Sequence, residues 1–308
     1  LLYNPCRGGL GDSIIGLQSA FILSKVLEVD FKILNGSVNF FNYFEIPKKY
    51  VEISIFDHKF LNIDYEPNNK DLNKYFQFSN DLLDLKNRNI LISSGSNFCQ
   101  YLYLNKNLNI VIKQEEVIKI LFQEIIIPKL KILNMVESYK KIYKLKEKIC
   151  VHIRCNNKWS DSNSNEKEFK VDETIRKFSQ CIRSITYEPV LLITDNLEQV
   201  KNIFQEENVL FFVTPGLVSH SLKSNTIDYE KTLLDLLLIG ETHTSIISYW
   251  SNFSRIGVLR TLNTVYVVNP VLNMEKEKFN YCINFDQEFK NIKYSDIMYK
   301  ENEIYLNE

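Results

Sequence analysis

The chain has 308 residues, 45% of them hydrophobic, and a formal net charge of −1. That length suits two domains, each with a sizeable core. The balanced charge excludes a basic nucleic-acid footprint and an acidic solvating tail, so no nucleic-acid partner is expected.

In chain order, Leu1–Asn4 reads as a strand, Arg7–Asp12 as a glycine-rich loop and Ser13–Val29 as a helix. Strands follow at Phe31–Leu34 and Ile90–Ser93. The stretch Gln114–Tyr143 has helical character and is interrupted at Pro128, where the missing N–H and the ring clash break a helix. From Ile149 the pattern becomes regular. Strand Ile149–Arg154 precedes helix Asp172–Ile185, and strand Val190–Thr194 precedes helix Leu197–Glu206. Strand Val209–Val213 leads to helix Tyr229–Gly240, strand Ser245–Ser248 to helix Asn252–Leu262, and strand Val265–Val268 closes the series. Alternation of this kind predicts α/β layers with mostly parallel sheets. The expected division is a first domain at 1–147, a second at 148–270, and a tail at 271–308 that crosses back to the first.

No apolar run is read as membrane-spanning; the longest, near 117–136, is interrupted by Lys119, Gln123, Glu124, Pro128 and Lys129. No signal peptide is read either. The cytoplasm is the expected location, with the secretory-pathway lumen as the alternative if an N-terminal anchor precedes Leu1. Six scattered cysteines, without a Cys-x-x-Cys pair, predict reduced thiols rather than a disulfide framework. Four histidines, none at ligand spacing, predict no metal site.

Four short motifs fall where predicted strands hand over to helices, the edge at which ligands of such sheets bind. Arg7-Gly8-Gly9-Leu10-Gly11-Asp12 lets backbone approach a ligand and opens a helix whose first N–H groups face an anion, with Asp12 as its cap. It serves equally as a tight turn. It fits neither a Walker loop nor the dinucleotide fingerprint. His152-Ile153-Arg154 ends the strand that opens the second half; Arg154 can fork two N–H bonds onto a diphosphate, or form a structural ion pair. Thr194-Asp195 offers a carboxylate that either reaches a ligand or caps the helix after it. Ser251 and Asn252 sit at a strand-to-helix turn suited to a phosphate or to capping. An Asp-x-Asp pair is missing, which disfavours a metal-dependent sugar transferase of the other major fold.

Two Rossmann-like halves facing a cleft make up the GT-B layout, and in order and spacing these motifs resemble those of the alpha-1,6-fucosyltransferases, the rhizobial nodulation enzymes in particular. Protein O-fucosyltransferases and alpha-1,2-fucosyltransferases are more distant kin. The resemblance rests on Gly9-Leu10-Gly11-Asp12, His152-Ile153-Arg154, Thr194-Asp195, the His220 to Asp235 spacing, and the Asp235 to Arg255 spacing with Ser251 in the turn. It covers roughly residues 5–35 and 149–268. It implies an inverting, metal-independent transfer of fucose from GDP-fucose to a carbohydrate acceptor, with no cofactor. It assigns Arg154 to the diphosphate, His152 and Asp235 to the guanosine end, Asp195 to support of the donor site, and Ser251 with Asn252 to a phosphate. Gly9 and Gly11 let the first loop approach the donor, and His220 follows from spacing. Two departures stand out: Cys155 occupies the place of a second basic residue, and Asn157-Lys158 that of Asp-Lys. Lys158 is kept as a catalytic candidate, and Asp161 is the candidate base. The alternatives are a GT-B enzyme using another nucleotide sugar, and a non-catalytic nucleotide- or glycan-binding protein on the same scaffold.

Overall fold

The computed structural model describes residues 1–5, 9–34, 40–52, 60–65, 69–79, 81–95, 98–108, 110, 112–155, 171–216, 229–248, 251–261, 263–268 and 282–284. Two compact units are present, the first running from Leu1 to Leu130 and the second starting at Lys131. The expected boundary at 147/148 falls just before the first strand of the second sheet, which starts at Ile149, whereas the two units divide at Leu130/Lys131.

In the first unit, β1 (Leu2–Asn4) feeds α1 (Leu10–Leu27), and β2 (Lys32–Leu34) follows. Next come α2 (Phe40–Tyr43), β3 (Phe44–Glu45), β4 (Val51–Glu52), β5 (Leu61–Tyr65), α3 (Lys70–Phe78), β6 (Ile90–Ser94), α4 (Cys99–Leu104), α5 (Gln114–Ile120) and β7 (Ile127–Pro128). The main sheet is parallel throughout, in the order β4-β2-β1-β6-β5. β3 and β7 form a separate antiparallel pair.

α1 is the central helix of this unit and is buried on nearly every face, from Leu10 to Leu27. Among the described residues it is the helix long and apolar enough to cross a membrane, which corrects the expectation that no run qualifies. With 83% of its span buried inside the unit, its composition is that of a core helix. It starts earlier than expected. Gly9 takes the N-cap position, and Asp12, read as the cap, sits at the third helical position with its carboxylate accepting the Gly9 N–H at 2.9 Å. Gly16 lies where α1 crosses β6: a Cβ there would stand 2.1 Å from the Ser94 carbonyl oxygen and 2.7 Å from the Tyr3 hydroxyl. Only a residue without Cβ permits that approach.

The helical stretch Gln114–Tyr143 is interrupted at Pro128, as expected, and forms two helices. α5 runs into a π-turn at Leu121–Ile125, and Pro128 lies in β7. Proline forces the residue before it into extended backbone, so the chain makes a short strand before α6 (Leu130–Ile142) begins.

The second unit follows the predicted alternation closely. β8 (Ile149–Ile153), α7 (Val171–Ile185), β9 (Val190–Thr194), α8 (Leu197–Glu206), β10 (Phe211–Phe212), α9 (Tyr229–Ile239), β11 (Thr244–Ser248), α10 (Asn252–Thr261) and β12 (Thr264–Val268) occur in that order. β13 (Cys282–Asn284), within the tail, pairs antiparallel with β12; the rest of the tail lies outside the described residues. The sheet order is β10-β9-β8-β11-β12-β13. Every residue of β9 and β11 is buried, as expected of parallel strands covered on both faces. On one face Val151, Ile153, Val190 and Leu192 pack against Ile175 and Phe178 of α7 and Phe204 of α8. The pleat turns Cys150 and His152 to the other face. α9 and α10 approach closely there, and a Cβ on Gly257 would stand 2.8 Å from Ile239. Cys99, Cys150 and Cys155 are buried and free, whereas Cys181 on α7 is disulfide-bonded, so the expectation of uniformly reduced thiols is corrected at that position.

Candidate functional site

In the second sheet the chain steps outward from β8 to β9 and β10, then returns to the other side of β8 as β11. The strand order reverses between β8 and β11, and the carboxyl ends flanking such a reversal form the crevice where α/β sheets hold ligands. His152 lies at the end of β8 and Arg154 follows that strand, Ser248 ends β11, and Asp195 follows β9.

Two consecutive peptide groups of β8 are caught by side chains from the strands on either side. The ladder with β11 has its last pair at His152 and Ile247, and just beyond it the Arg154 N–H donates to the Ser248 hydroxyl at 2.9 Å. The ladder with β9 ends at Ile153 and Thr194, and the Cys155 N–H then donates to Asp195 Oδ1 at 2.6 Å. Asp195 Oδ2 lies 2.9 Å from Arg154 Nη1. Asp195 therefore holds both the backbone and the guanidinium of this segment. The capping alternative for Asp195 falls to Asn196, whose Oδ1 accepts the Gln199 N–H of α8 at 3.3 Å. Arg154 keeps 27% of its side chain exposed, so the cation is anchored yet accessible.

His152 is 5% exposed, its ring tilted 5.5 Å from that of Phe253 at the start of α10, and its Nδ1 is buried with no partner. Burial, then the charge of Arg154, pushes its pKa down from 6.5 to about 3. The imidazole is neutral at ordinary pH. A prediction follows from the sign of that shift. Below pH 6.5 the unfolded chain takes up a proton that the folded chain refuses, so this residue's contribution to stability is full above 6.5 and is lost as pH falls towards 3. By pH 5.5 the loss is about 1.4 kcal/mol. Urea titrations at pH 7.5 and 5.5 are expected to show that difference in wild type and to lose it in His152→Asn; an equal difference in both proteins would refute it.

Cys155 is turned into the core between the sheet and α7, with its sulfur 3.5 Å from the Thr194 hydroxyl. Burial pushes the thiol up to about 12, so it is no nucleophile. Ser251 opens α10: its carbonyl accepts the Arg255 N–H at 3.1 Å, and its own N–H donates to the Ser248 carbonyl at 3.2 Å. Asn252 Oδ1 accepts from Arg255 Nη1 at 3.3 Å.

The structure thus brings His152, Arg154, Asp195, Ser251 and Asn252 to one edge of one sheet. Asp235 is placed differently. Midway along α9, its carboxylate accepts the Thr214 hydroxyl at 2.7 Å and is paired with Lys231, and it bears electrostatically on Cys150 and Tyr139. Gly9 and Gly11 belong to the first unit, at the carboxyl edge of β1. Lys158, Asp161 and His220 lie outside the described residues. Among the described residues, no group of three or more His, Cys, Asp or Glu is placed to hold a metal ion. Sequence reading missed Ser248, Lys231 and Thr214. The signal for Ser248 is a polar residue closing an otherwise apolar strand; Lys231 shows as an i, i+4 partner of Asp235 on the same helix face.

Two units of mostly parallel α/β structure, the second with the strand order of a dinucleotide-binding sheet, define the GT-B fold. Solved structures sharing it are fucosyltransferases, the group that the motifs resemble. An arginine-to-lysine mutant of Arabidopsis thaliana FUT1 in complex with GDP is similar at a TM-score of 0.62 and 15% identity, over 87% of this chain and 69% of that one. NodZ alpha-1,6-fucosyltransferase soaked with GDP-fucose is similar at 0.57 and 16% identity, over 92% and 98%. Se-Met NodZ from Bradyrhizobium gives 0.56 and 18%, over 87% and 94%. No protein-family model and no curated protein matches the chain.

Proposed function

We propose that this protein is an inverting glycosyltransferase that moves fucose from GDP-fucose to a carbohydrate hydroxyl without a metal ion. The observation that carries the reading is Arg154, fixed through its backbone and its guanidinium at the switch point of the second sheet yet still accessible. The solved structures sharing the fold include one in complex with GDP and one soaked with GDP-fucose, which supports the same donor here.

In the proposed reaction an acceptor hydroxyl attacks the anomeric carbon from the face opposite GDP. The bond to the diphosphate oxygen breaks as the new glycosidic bond forms, and negative charge collects on the departing GDP. Arg154 holds positive charge where that negative charge develops, and the N-terminus of α10, from Asn252 on, together with the Ser251 hydroxyl, adds donors to it. Because Asp195 fixes the guanidinium beforehand, little reorganisation is needed as the transition state forms. Neutral His152 and Asp235 are assigned to the guanosine end, and Gly9 and Gly11 to the approach of the first loop. Asp161 would take the acceptor proton, with Lys158 beside the leaving group. His220 is kept as a donor contact.

The test is a thermal-shift titration with GDP, GDP-fucose, GDP-mannose and UDP in EDTA. GDP and GDP-fucose at a hundredfold excess over Kd should stabilise by about 2.7 kcal/mol, a rise of several degrees, while UDP leaves the Tm in place. Indifference to every guanosine ligand would sink this reading.

A further inference from the structure

We infer that Ser248 is a positioning residue for Arg154: its single hydroxyl clips the carboxyl ends of β8 and β11 together at the switch point and sets where the guanidinium points. The inference rests on the donor reading of that site. It adds a residue that neither the sequence motifs nor the assigned roles include.

The geometry is specific to the place where the ladder stops. Between β8 and β11 the last backbone pair is His152 with Ile247. Beyond it, the Ser248 hydroxyl takes the Arg154 N–H at 2.9 Å. The same hydroxyl faces the His152 carbonyl oxygen at 3.3 Å. A serine hydroxyl can accept one bond and donate another, so one oxygen serves both peptide groups flanking Ile153. Ser248 is fully buried, which leaves no water to replace it. Its carbonyl in turn accepts the Ser251 N–H at 3.2 Å, so the residue also joins β11 to the turn that opens α10.

Ser248 is matched across β8 by Asp195, which takes the next N–H, that of Cys155, and the Arg154 guanidinium. Arg154 is thus held from both sides: its backbone is fixed by β11 and its side chain by β9. Removing the Ser248 hydroxyl leaves the Arg154 N–H and the Asp195 pair in place but frees the first of them to move. The guanidinium then follows its backbone. Misplacement of a transition-state donor by a fraction of an ångström is expensive in rate, beyond the stability lost with the buried hydrogen bonds.

A second buried serine on the same strand provides the control. Ser245 is also fully buried, and its hydroxyl donates to the Ile239 carbonyl at 2.7 Å, at the opposite end of β11. Ser248→Ala, Ser248→Thr and Ser245→Ala are compared in the full chain by amide hydrogen exchange at Arg154, by fucose transfer from GDP-fucose, and by melting. Ser248→Ala should raise exchange at Arg154 and lower kcat and kcat/KM together by about 10-fold. Ser248→Thr should restore both in large part. Ser245→Ala should lower the Tm and leave Arg154 exchange and turnover per folded molecule unchanged. Unchanged exchange and turnover in Ser248→Ala, or equal losses in Ser245→Ala, would overturn the inference. A wild-type chain that shows the Arg154 exchange pattern but neither binds GDP nor transfers fucose overturns the donor reading instead, and with it the purpose of the clip.

Discussion

Arg154→Ala is expected to lower fucose transfer by about 10²- to 10³-fold, the usual loss when one preorganised transition-state donor is removed. The loss should fall on kcat as well as kcat/KM, because the charge that Arg154 meets is larger in the transition state than in bound GDP-fucose. Arg154→Lys should recover little. A lysine carries the charge on a single point and cannot fork onto a diphosphate while also reaching Asp195. Both variants should stay folded. The pair with Asp195 is partly exposed, so its removal should cost less than about 2 kcal/mol. Steady-state kinetics beside a melting curve separates the two effects, and a folded Arg154→Ala protein with near-normal turnover would sink the assigned role.

Lys231→Met is expected to have the largest effect on stability. Lys231 and Asp235 are paired one helical turn apart on α9, with side-chain exposures of 6% and 9%. Removing the cation strands a buried carboxylate, which costs about 3–5 kcal/mol. The Tm should drop by roughly 6–15 °C for a chain of this size. The double variant Lys231→Met with Asp235→Asn should regain more than half of that, since an amide at 235 can still accept the Thr214 hydroxyl at no charge cost. A double variant no more stable than Lys231→Met alone would show that the pair is not the source of the loss. The same series separates architecture from ligand binding. If Asp235 also meets guanosine, the stability-restored double variant should bind GDP more weakly than wild type.

The second unit was legible because each of its elements carries its own period. Val190–Thr194 is a continuous apolar run, and Leu197–Glu206 repeats at helical spacing behind a cap, so the elements from β8 to β12 could be placed to within a residue or two. The first unit was harder to read for a physical reason. β4 is Val51–Glu52, two residues with no pattern of its own, and it is a strand only because β2 lies beside it. β5, Leu61–Tyr65, alternates correctly and is followed by the turn signal Pro67-Asn68-Asn69, but it is too short to stand out without β6 beside it. In the site, Arg154 and Asp195 could be named because charged residues at strand ends are conspicuous. Their partnership could not, because it depends on β8 and β9 being neighbours in register. Ser248 escaped for the complementary reason: its side chain is ordinary, and its meaning comes from where the ladder ends.

The burial of α1 on nearly every face bears on how the chain is made. This helix leaves the ribosome before β6 and α4, against which it packs, have been synthesised. Until they arrive it has no polar side to turn to water. A nascent chain in that condition is a substrate for holdase chaperones and a nucleus for aggregation. Yield of the protein in a cell should therefore depend on chaperone supply and translation speed over the first unit more than on the thermodynamic stability of the finished fold.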